Sequence, residues 1–243
     1  MRPYFIFPLL FVFLTLSLNA CSFFSSDKSR QEKSATELLE QGRKAFGKEK
    51  YRDTIEAFQQ LKNWYPFSQY VAEASLSIAD AHYALKEYPE AAAAYTEFER
   101  LHPTNPDAPR AAFQLAMCHY QQIKTRDRDQ IPTRQAIAAF GHVVDTYPLS
   151  PYSMDARTKI TECREMLAQS ELAIARYYYR TKSYVAAQKR LEQLVAEYPD
   201  TSRAQTAQAL LEQVNAVLEG KKPTPLDIPE DEEEKKPFWK RIF

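Results

Sequence analysis

Cys21 is the residue best placed for covalent chemistry. It follows Leu18-Asn19-Ala20, at the end of an apolar run from Tyr4 to Leu18 that starts just after Arg2. The run is short for a membrane span and lies at the very start of the chain, as a signal peptide does. A leucine, a tolerant position, a small residue and then cysteine resemble a bacterial lipobox, in which residues 1–20 are removed and the thiol of Cys21 is acylated. Asn19 is less usual there than Ala or Ser. Ser22, standing where aspartate would signal inner-membrane retention, matches outer-membrane sorting and a palmitate-bearing anchor. An ordinary secretory signal with a chance cysteine, or an uncleaved anchor, are the alternatives. Each buried acyl methylene contributes about 0.8 kcal/mol, so several chains hold a protein on a membrane almost permanently. Residues 21–33 then read as a tether.

The remaining chemistry-bearing residues are sparse. Cys118 and Cys163 fall on the apolar sides of predicted helices, either as two buried thiols or as a disulfide in an oxidising compartment. There is no His-Glu-x-x-His zinc motif, no Gly-x-Ser-x-Gly nucleophile turn and no glycine-rich phosphate loop, and only four glycines in 243 residues. His102 and His142 lack neighbours at ligand spacing. These features predict no enzyme, no metal and no cofactor. Thirty-two basic residues balance 32 acidic ones, so nothing points to nucleic acid.

The organising pattern is a repeat. Four blocks close on Tyr65-Pro66, His102-Pro103, Tyr147-Pro148 and Tyr198-Pro199. Gly42, Ala79 and Ala175 each stand 24 residues before their proline, and Ala116 stands 32 before Pro148, an insertion of 8. From each small residue the same offsets lead to large ones: Tyr83, Tyr88, Tyr95 and Phe98 in the second block, Tyr179, Tyr184, Leu191 and Leu194 in the fourth. Phe46, Tyr51, Phe58 and Leu61 do so in the first. A further small residue (Thr54, Ala91, Ala187) sits 12 after the first in these three blocks. Small residues let two antiparallel helices approach, large ones fill the gap to the next pair, and proline stops the second helix. His82 and His119 occupy equivalent positions, so their recurrence reflects packing.

This spacing resembles the tetratricopeptide repeat and predicts an all-α solenoid of about four to five helix pairs over residues 34–220. Helices are expected at about 34–47, 51–64, 69–85, 89–101, 107–123, 132–145, 152–181, 184–197 and 201–219. Ser150 and Pro151 suit the N-cap and first position of the seventh. At roughly 45 Å that helix must project from the superhelix or brace it. The last is expected to cap the exposed apolar face. The turn inside each pair usually carries glycine, but Lys86 and Lys182 stand there, which predicts a positive φ at a small cost.

With lipobox and repeats in hand, local strings become informative. Tyr65-Pro66-Phe67-Ser68-Gln69-Tyr70, His102-Pro103-Thr104-Asn105-Pro106, Tyr147-Pro148-Leu149-Ser150-Pro151-Tyr152 and the insertion Arg126-Asp127-Arg128-Asp129 together resemble the BamD (ComL) family of outer-membrane assembly lipoproteins. The resemblance runs from Cys21 to about Gly220. It implies a non-catalytic scaffold on the periplasmic face of the outer membrane. C-terminal repeats would hold a BamA-like barrel protein of the BAM complex, and N-terminal repeats would receive unfolded outer-membrane proteins bound for insertion. Other assembly lipoproteins would be further partners. A different tetratricopeptide lipoprotein, serving pilus assembly or cell-wall and division coordination, is the alternative.

Groove candidates follow from repeat geometry. The first helix of each pair lines the concave side with Arg43 and Phe46, Asp80 and Tyr83, Met117 and Tyr120, and Arg176 and Tyr179; the tyrosines would otherwise simply pack between helices. Arg43 beside Phe46 would suit a segment ending in an aromatic residue and a free carboxylate. Arg176, Arg180, Lys182, Lys189 and Arg190 form a basic group that would meet acidic partner residues. The Lys124–Asp129 segment reads as a solvated loop with local ion pairs, or as support for a partner surface. Residues 221–243 combine Pro223, Pro225 and Pro229, the run Glu230–Glu234 and a terminal Lys235-Lys236-Pro237-Phe238-Trp239-Lys240-Arg241-Ile242-Phe243, a composition of disordered tails.

Overall fold

The computed structural model describes residues 33–124 and 130–221. Within them lie nine α-helices: α1 (Ala35–Phe46), α2 (Tyr51–Trp64), α3 (Val71–Ala84), α4 (Tyr88–Leu101), α5 (Ala108–Gln121), α6 (Ile131–Thr146), α7 (Pro151–Arg180), α8 (Tyr184–Glu197) and α9 (Ser202–Leu218). Each packs on the next, and contacts beyond the nearest neighbour run α1 to α3, α5 to α7 and α7 to α9. That is the neighbour-only packing of a helical solenoid. The all-α tetratricopeptide architecture expected from the spacing is the one observed. Cys21, the insertion at 126–129 and the tail from 222 lie outside the described residues.

The core is a row of four linked clusters. Leu38, Phe58, Leu61, Ala74 and Ile78 join α1, α2 and α3. Ala79, Ala91, Tyr95, Phe98, Ala111 and Cys118 join α3, α4 and α5. Ala116, Ala136, Phe140, Val143, Ala156 and Cys163 join α5, α6 and α7. Leu172, Ala175, Ala187, Leu191, Leu194, Leu210 and Val214 join α7, α8 and α9. Every cluster thus takes one helix pair plus the first helix of the next, so no repeat buries its apolar face alone. The small residues at the repeat positions are enclosed: Ala79, Ala116 and Ala175, and their partners Thr54, Ala91, Ala136 and Ala187, have no exposed surface.

Local signals set the ends. Ser34 and Glu37 form a reciprocal capping box at the start of α1. Ser150 caps α7 by accepting from the Tyr152 N–H, with Pro151 as first helical residue. Thr201 accepts from the Ala204 N–H at the start of α9. The 30 residues of α7 do two jobs. Its first half, through Ala156 and Cys163, closes the third cluster, and its second half, through Leu172 and Ala175, opens the fourth. The long helix is a brace, and α9 covers the final apolar face.

The turns inside three pairs bend through the left-handed region, at Glu49 (φ 57°), Lys86 (φ 60°) and Lys182 (φ 60°). The positive φ expected at the two lysines is present, and Glu49 repeats it in the first pair. A non-glycine residue there costs about 1–2 kcal/mol, offset in part by glycine's greater unfolded-state entropy. Lys86→Gly should therefore raise stability by up to about 1 kcal/mol, whereas Lys86→Ile should lower it by more than about 1 kcal/mol, since a β-branched residue is a severe outlier there. Denaturant midpoints of the two variants check the opposite signs.

Cys118 and Cys163 are both free and have no exposed surface. They belong to different clusters, and no disulfide joins them. Burial pushes their thiols up, to about 12 and about 11 respectively. Such groups are unreactive in the folded chain.

Candidate binding groove

The first helix of each pair is α1, α3, α5 and α7, and polar side chains at its groove positions reach to the next first helix. Arg43 on α1 donates to Glu73 on α3 through Nε (2.6 Å) and Nη2 (2.8 Å), and also to Glu40. The Glu73 hydrogen bond is the main reason the Arg43 pKa rises. One repeat on, Asp80 on α3 accepts a fork from Arg110 on α5, both bonds 3.1 Å, and a 2.6 Å bond from the Tyr95 hydroxyl. The two pairs occupy the same repeat positions with their charges exchanged. Burial, and then the Asp80 carboxylate, lift the Tyr95 phenol far above its ordinary range.

The sequence singled out Arg43 and Asp80 but not their partners. Glu73 and Arg110 each lie 30 residues downstream with opposite charge. That shared interval was the available signal.

The aromatic candidates have neighbours too. Phe46 meets Tyr51 edge-on (5.6 Å, 75°), Tyr83 meets Tyr88 (5.5 Å, 68°) and Tyr179 meets Tyr184 (5.8 Å, 67°). Each pair closes the turn that carries a left-handed residue, so the recurrence is a staple across the bend. The Tyr179 hydroxyl also reaches Gln213, and Tyr120 packs edge-on against Phe140. Tyr120 donates to Glu162 (2.8 Å), beneath the Lys159 ammonium 4.6 Å from its ring centre. The Lys159 hydrogen bond, and secondarily that from Tyr120, hold Glu162 below the usual carboxylate range. Met117 is partly buried in the third cluster.

In the last repeat Arg176 is 6% exposed and offers a partner almost no surface. Arg190 pairs with Glu171 at 3.0 Å. Arg180, Lys182 and Lys189 are exposed. The basic group of the sequence therefore divides into an inner part and a surface part.

Two clefts flank these features. One of about 400 Å³ runs between α3 and α5, lined by Glu73, Leu76, Ser77, Phe98, Asp107 and Arg110. The other, about 540 Å³, lies at the far end between Tyr184, Val185 and Leu218, with Lys182 and Lys189 on its rim. Val185 is 70% exposed. Among the described residues no helix is long and apolar enough to cross a membrane, and no three His, Cys, Asp or Glu residues are placed to hold a metal ion.

A family model described as YfiO, an outer membrane lipoprotein, matches residues 31–225, the whole described superhelix. The chain belongs to the YfiO family. Similar relatives carry the name outer membrane protein assembly factor BamD. The one from Caulobacter vibrioides is 32% identical over 77% of this chain and 61% of its own length. The one from Neisseria gonorrhoeae is 28% identical over 84% of this chain and 82% of its own. The chain thus spans less than two thirds of the Caulobacter protein. Among solved structures, the TPR2AB domain of yeast Sti1 in complex with pHSP90 is similar over 76% of this chain and 72% of that one, at 11% identity and a TM-score of 0.47.

Proposed function

We propose that this chain is a lipid-anchored, non-catalytic scaffold for outer-membrane protein assembly. It would be held on the periplasmic face of the outer membrane by acylated Cys21. The observation that carries the reading is the YfiO-family match along the entire superhelix, from residue 31 to 225. The two clefts support a division of labour. The polar cleft between α3 and α5 suits an extended client segment, with Arg43, bonded to the Glu73 of its wall, within reach of a terminal carboxylate and Phe46 one helical turn further on for an aromatic ring. Arg43 already holds two carboxylates, so a client carboxylate there competes with Glu73 and binds weakly and exchangeably. The apolar cleft at Val185 and Leu218, rimmed by Lys182 and Lys189, suits a larger partner with an acidic rim, here a BamA-like barrel protein. Other assembly lipoproteins are further candidate partners.

The test is purification of the tagged chain from detergent-solubilised envelopes. A BamA-like barrel protein should accompany it, and Lys182→Glu with Lys189→Glu should reduce that recovery, because facing charges of one sign slow encounter. Pilus or peptidoglycan enzymes in place of the barrel protein would assign the chain to another tetratricopeptide lipoprotein class. Cys21→Ser should move the chain from the membrane to the soluble periplasmic fraction. Continued tight membrane association of that variant would remove the lipid anchor from the reading.

A further inference from the structure

The four loops that join one pair to the next are wired identically. In each, the residue before proline donates its N–H to a carbonyl four residues back. Its own carbonyl then accepts from the N–H three residues on: Ser68 to Tyr65, Asn105 to His102, Ser150 to Tyr147, Thr201 to Tyr198. This wiring turns the residue after proline outward, and all four such tips are exposed. An outward tip favours a polar side chain, and Thr104 and Asp200 comply. Phe67 and Leu149 do not. They are 100% and 99% exposed, the most exposed large apolar side chains among the described residues. Trp64 and Leu101, in the last turns of α2 and α4, and Met154, in the first turn of α7, flank them on the same edge at 40%, 46% and 76% exposure.

The opposite edge differs at its tips. Among the described residues its turns present Glu49, Lys86 and Lys182, all charged, and its exposed apolar side chains, Phe46, Ile131, Tyr177, Val185 and Leu218, are set back in the first or last turns of helices. The chain also enters the fold on the apolar-tipped edge, where the Tyr65 hydroxyl donates to the Lys33 carbonyl at 2.9 Å. Eleven residues separate Cys21 from Lys33. Fully extended they reach about 40 Å at most. If Cys21 is acylated, as proposed above, this is the edge held nearest the bilayer.

We infer that this inter-repeat edge rests on the phospholipid surface, with Phe67 and Leu149 inserted as two apolar feet and Met154 beside the second. Two repeats separate the two loops, and because successive first helices touch one another the tips stand roughly 20 Å apart at the usual interaxial spacing. Isolated tips so far apart need no complementary pockets on a fluid, flat lipid surface, whereas a protein would have to supply one for each. A phenylalanine or leucine side chain gains by leaving water for the acyl boundary, and tethering makes that insertion intramolecular. The fourth loop has no foot. Asp200 there is bound by Arg164, midway along α7, so the long helix carries that loop away from the first three.

The experiment uses the acylated chain, in which the Cys21 thiol is occupied and Cys118 and Cys163 are buried. Phe67→Cys, Leu149→Cys and, as opposite-edge control, Lys86→Cys are each labelled with an environment-sensitive fluorophore. Each is then reconstituted on phosphatidylethanolamine and phosphatidylglycerol vesicles. Labels at 67 and 149 should shift to the blue, brighten several-fold and be quenched by lipid-borne quenchers, while the label at 86 stays unchanged. Flotation of the same samples separates the premises. A chain that fails to float loses both the anchor and this inference. A chain that floats with labels 67 and 149 unchanged, or with all three labels shifted alike, keeps the anchor and overturns the inference. A shift at 67 that requires an added outer-membrane barrel protein would make the edge a protein interface and overturn it as well.

Discussion

Replacing Asp80 by alanine should lower the unfolding free energy by about 2–4 kcal/mol, because it strands two partners at once. One is the Tyr95 hydroxyl, on a side chain with no exposed surface, for which water is no substitute. The other is the Arg110 guanidinium, whose side chain is 29% exposed and keeps Asp107 at 3.6 Å, so it recovers part of its loss. Asp80→Asn keeps Oδ1 as the acceptor for Tyr95 but loses the charge and turns the second acceptor into an NH2 facing Arg110, so its cost should fall between those of Asp80→Ala and Tyr95→Phe. Tyr95→Phe removes the donor together with its need and should cost only about 1 kcal/mol. The order Ala, Asn, then the tyrosine change is the signature of a stranded donor. If Asp80→Ala shifts the denaturant midpoint no more than Tyr95→Phe, the network contributes nothing beyond one ordinary hydrogen bond.

The site of the loss matters as much as its size. Asp80, Tyr95 and Arg110 tie α3, α4 and α5, the junction of the second and third repeats. A solenoid is stabilised by contacts between neighbours, so weakening one junction uncouples the two sides. Trp64 reports on the first repeat and circular dichroism reports on all helices. In an otherwise tail-silent Trp239→Phe background, the two probes should coincide for the parent chain. They should separate in Asp80→Ala, with the tryptophan transition at lower denaturant.

What the residue spacing made legible was backbone and core. Ala79, Ala91 and their equivalents had to be enclosed, because offsets recurring over three repeats leave one face for small side chains and one for large. Lys86 and Lys182 had to adopt positive φ, because they stand where a two-helix turn demands it. Side-chain pairing across helices was less legible. Asp80 looks like a free groove carboxylate until the register of α3 against α5 is known, since Arg110 lies a full repeat away. Tyr83 and Tyr179 look like rigid ligand contacts until the turn brings Tyr88 and Tyr184 edge-on to them. Arg176 reads as surface charge because it holds the repeat position of Arg43 and Asp80, yet in the folded chain it is 6% exposed. Phe67 and Leu149 were visible as residues of the closing strings. Their full exposure depends on loop wiring that only the folded backbone displays.

The second large effect concerns Gly42, where two rules of opposite sign meet. In an exposed helix interior, glycine to alanine gains about 1 kcal/mol from helix propensity. At Gly42 the added methyl would lie 2.5 Å from Cζ of Phe58 and under 3 Å from both Cε atoms. Phe58 is 1% exposed and backed by Leu38, Leu61 and Ala74, so the ring has nowhere to retreat. Overpacking of this kind costs typically about 1–3 kcal/mol. Gly42→Ala should therefore destabilise the chain by about 1–2 kcal/mol net, although it improves the helix. Phe58→Ala alone should cost about 3–5 kcal/mol through the cavity left between α1 and α2. In that background the clash is gone and the new methyl fills part of the void, so Gly42→Ala should become stabilising, by about 1 kcal/mol. A reversal of sign between backgrounds cannot arise from propensity or from generic surface effects. A coupling near zero in this cycle would mean that α1 and α2 separate to admit the methyl, and that close approach at Gly42 does not set the spacing of the first repeat.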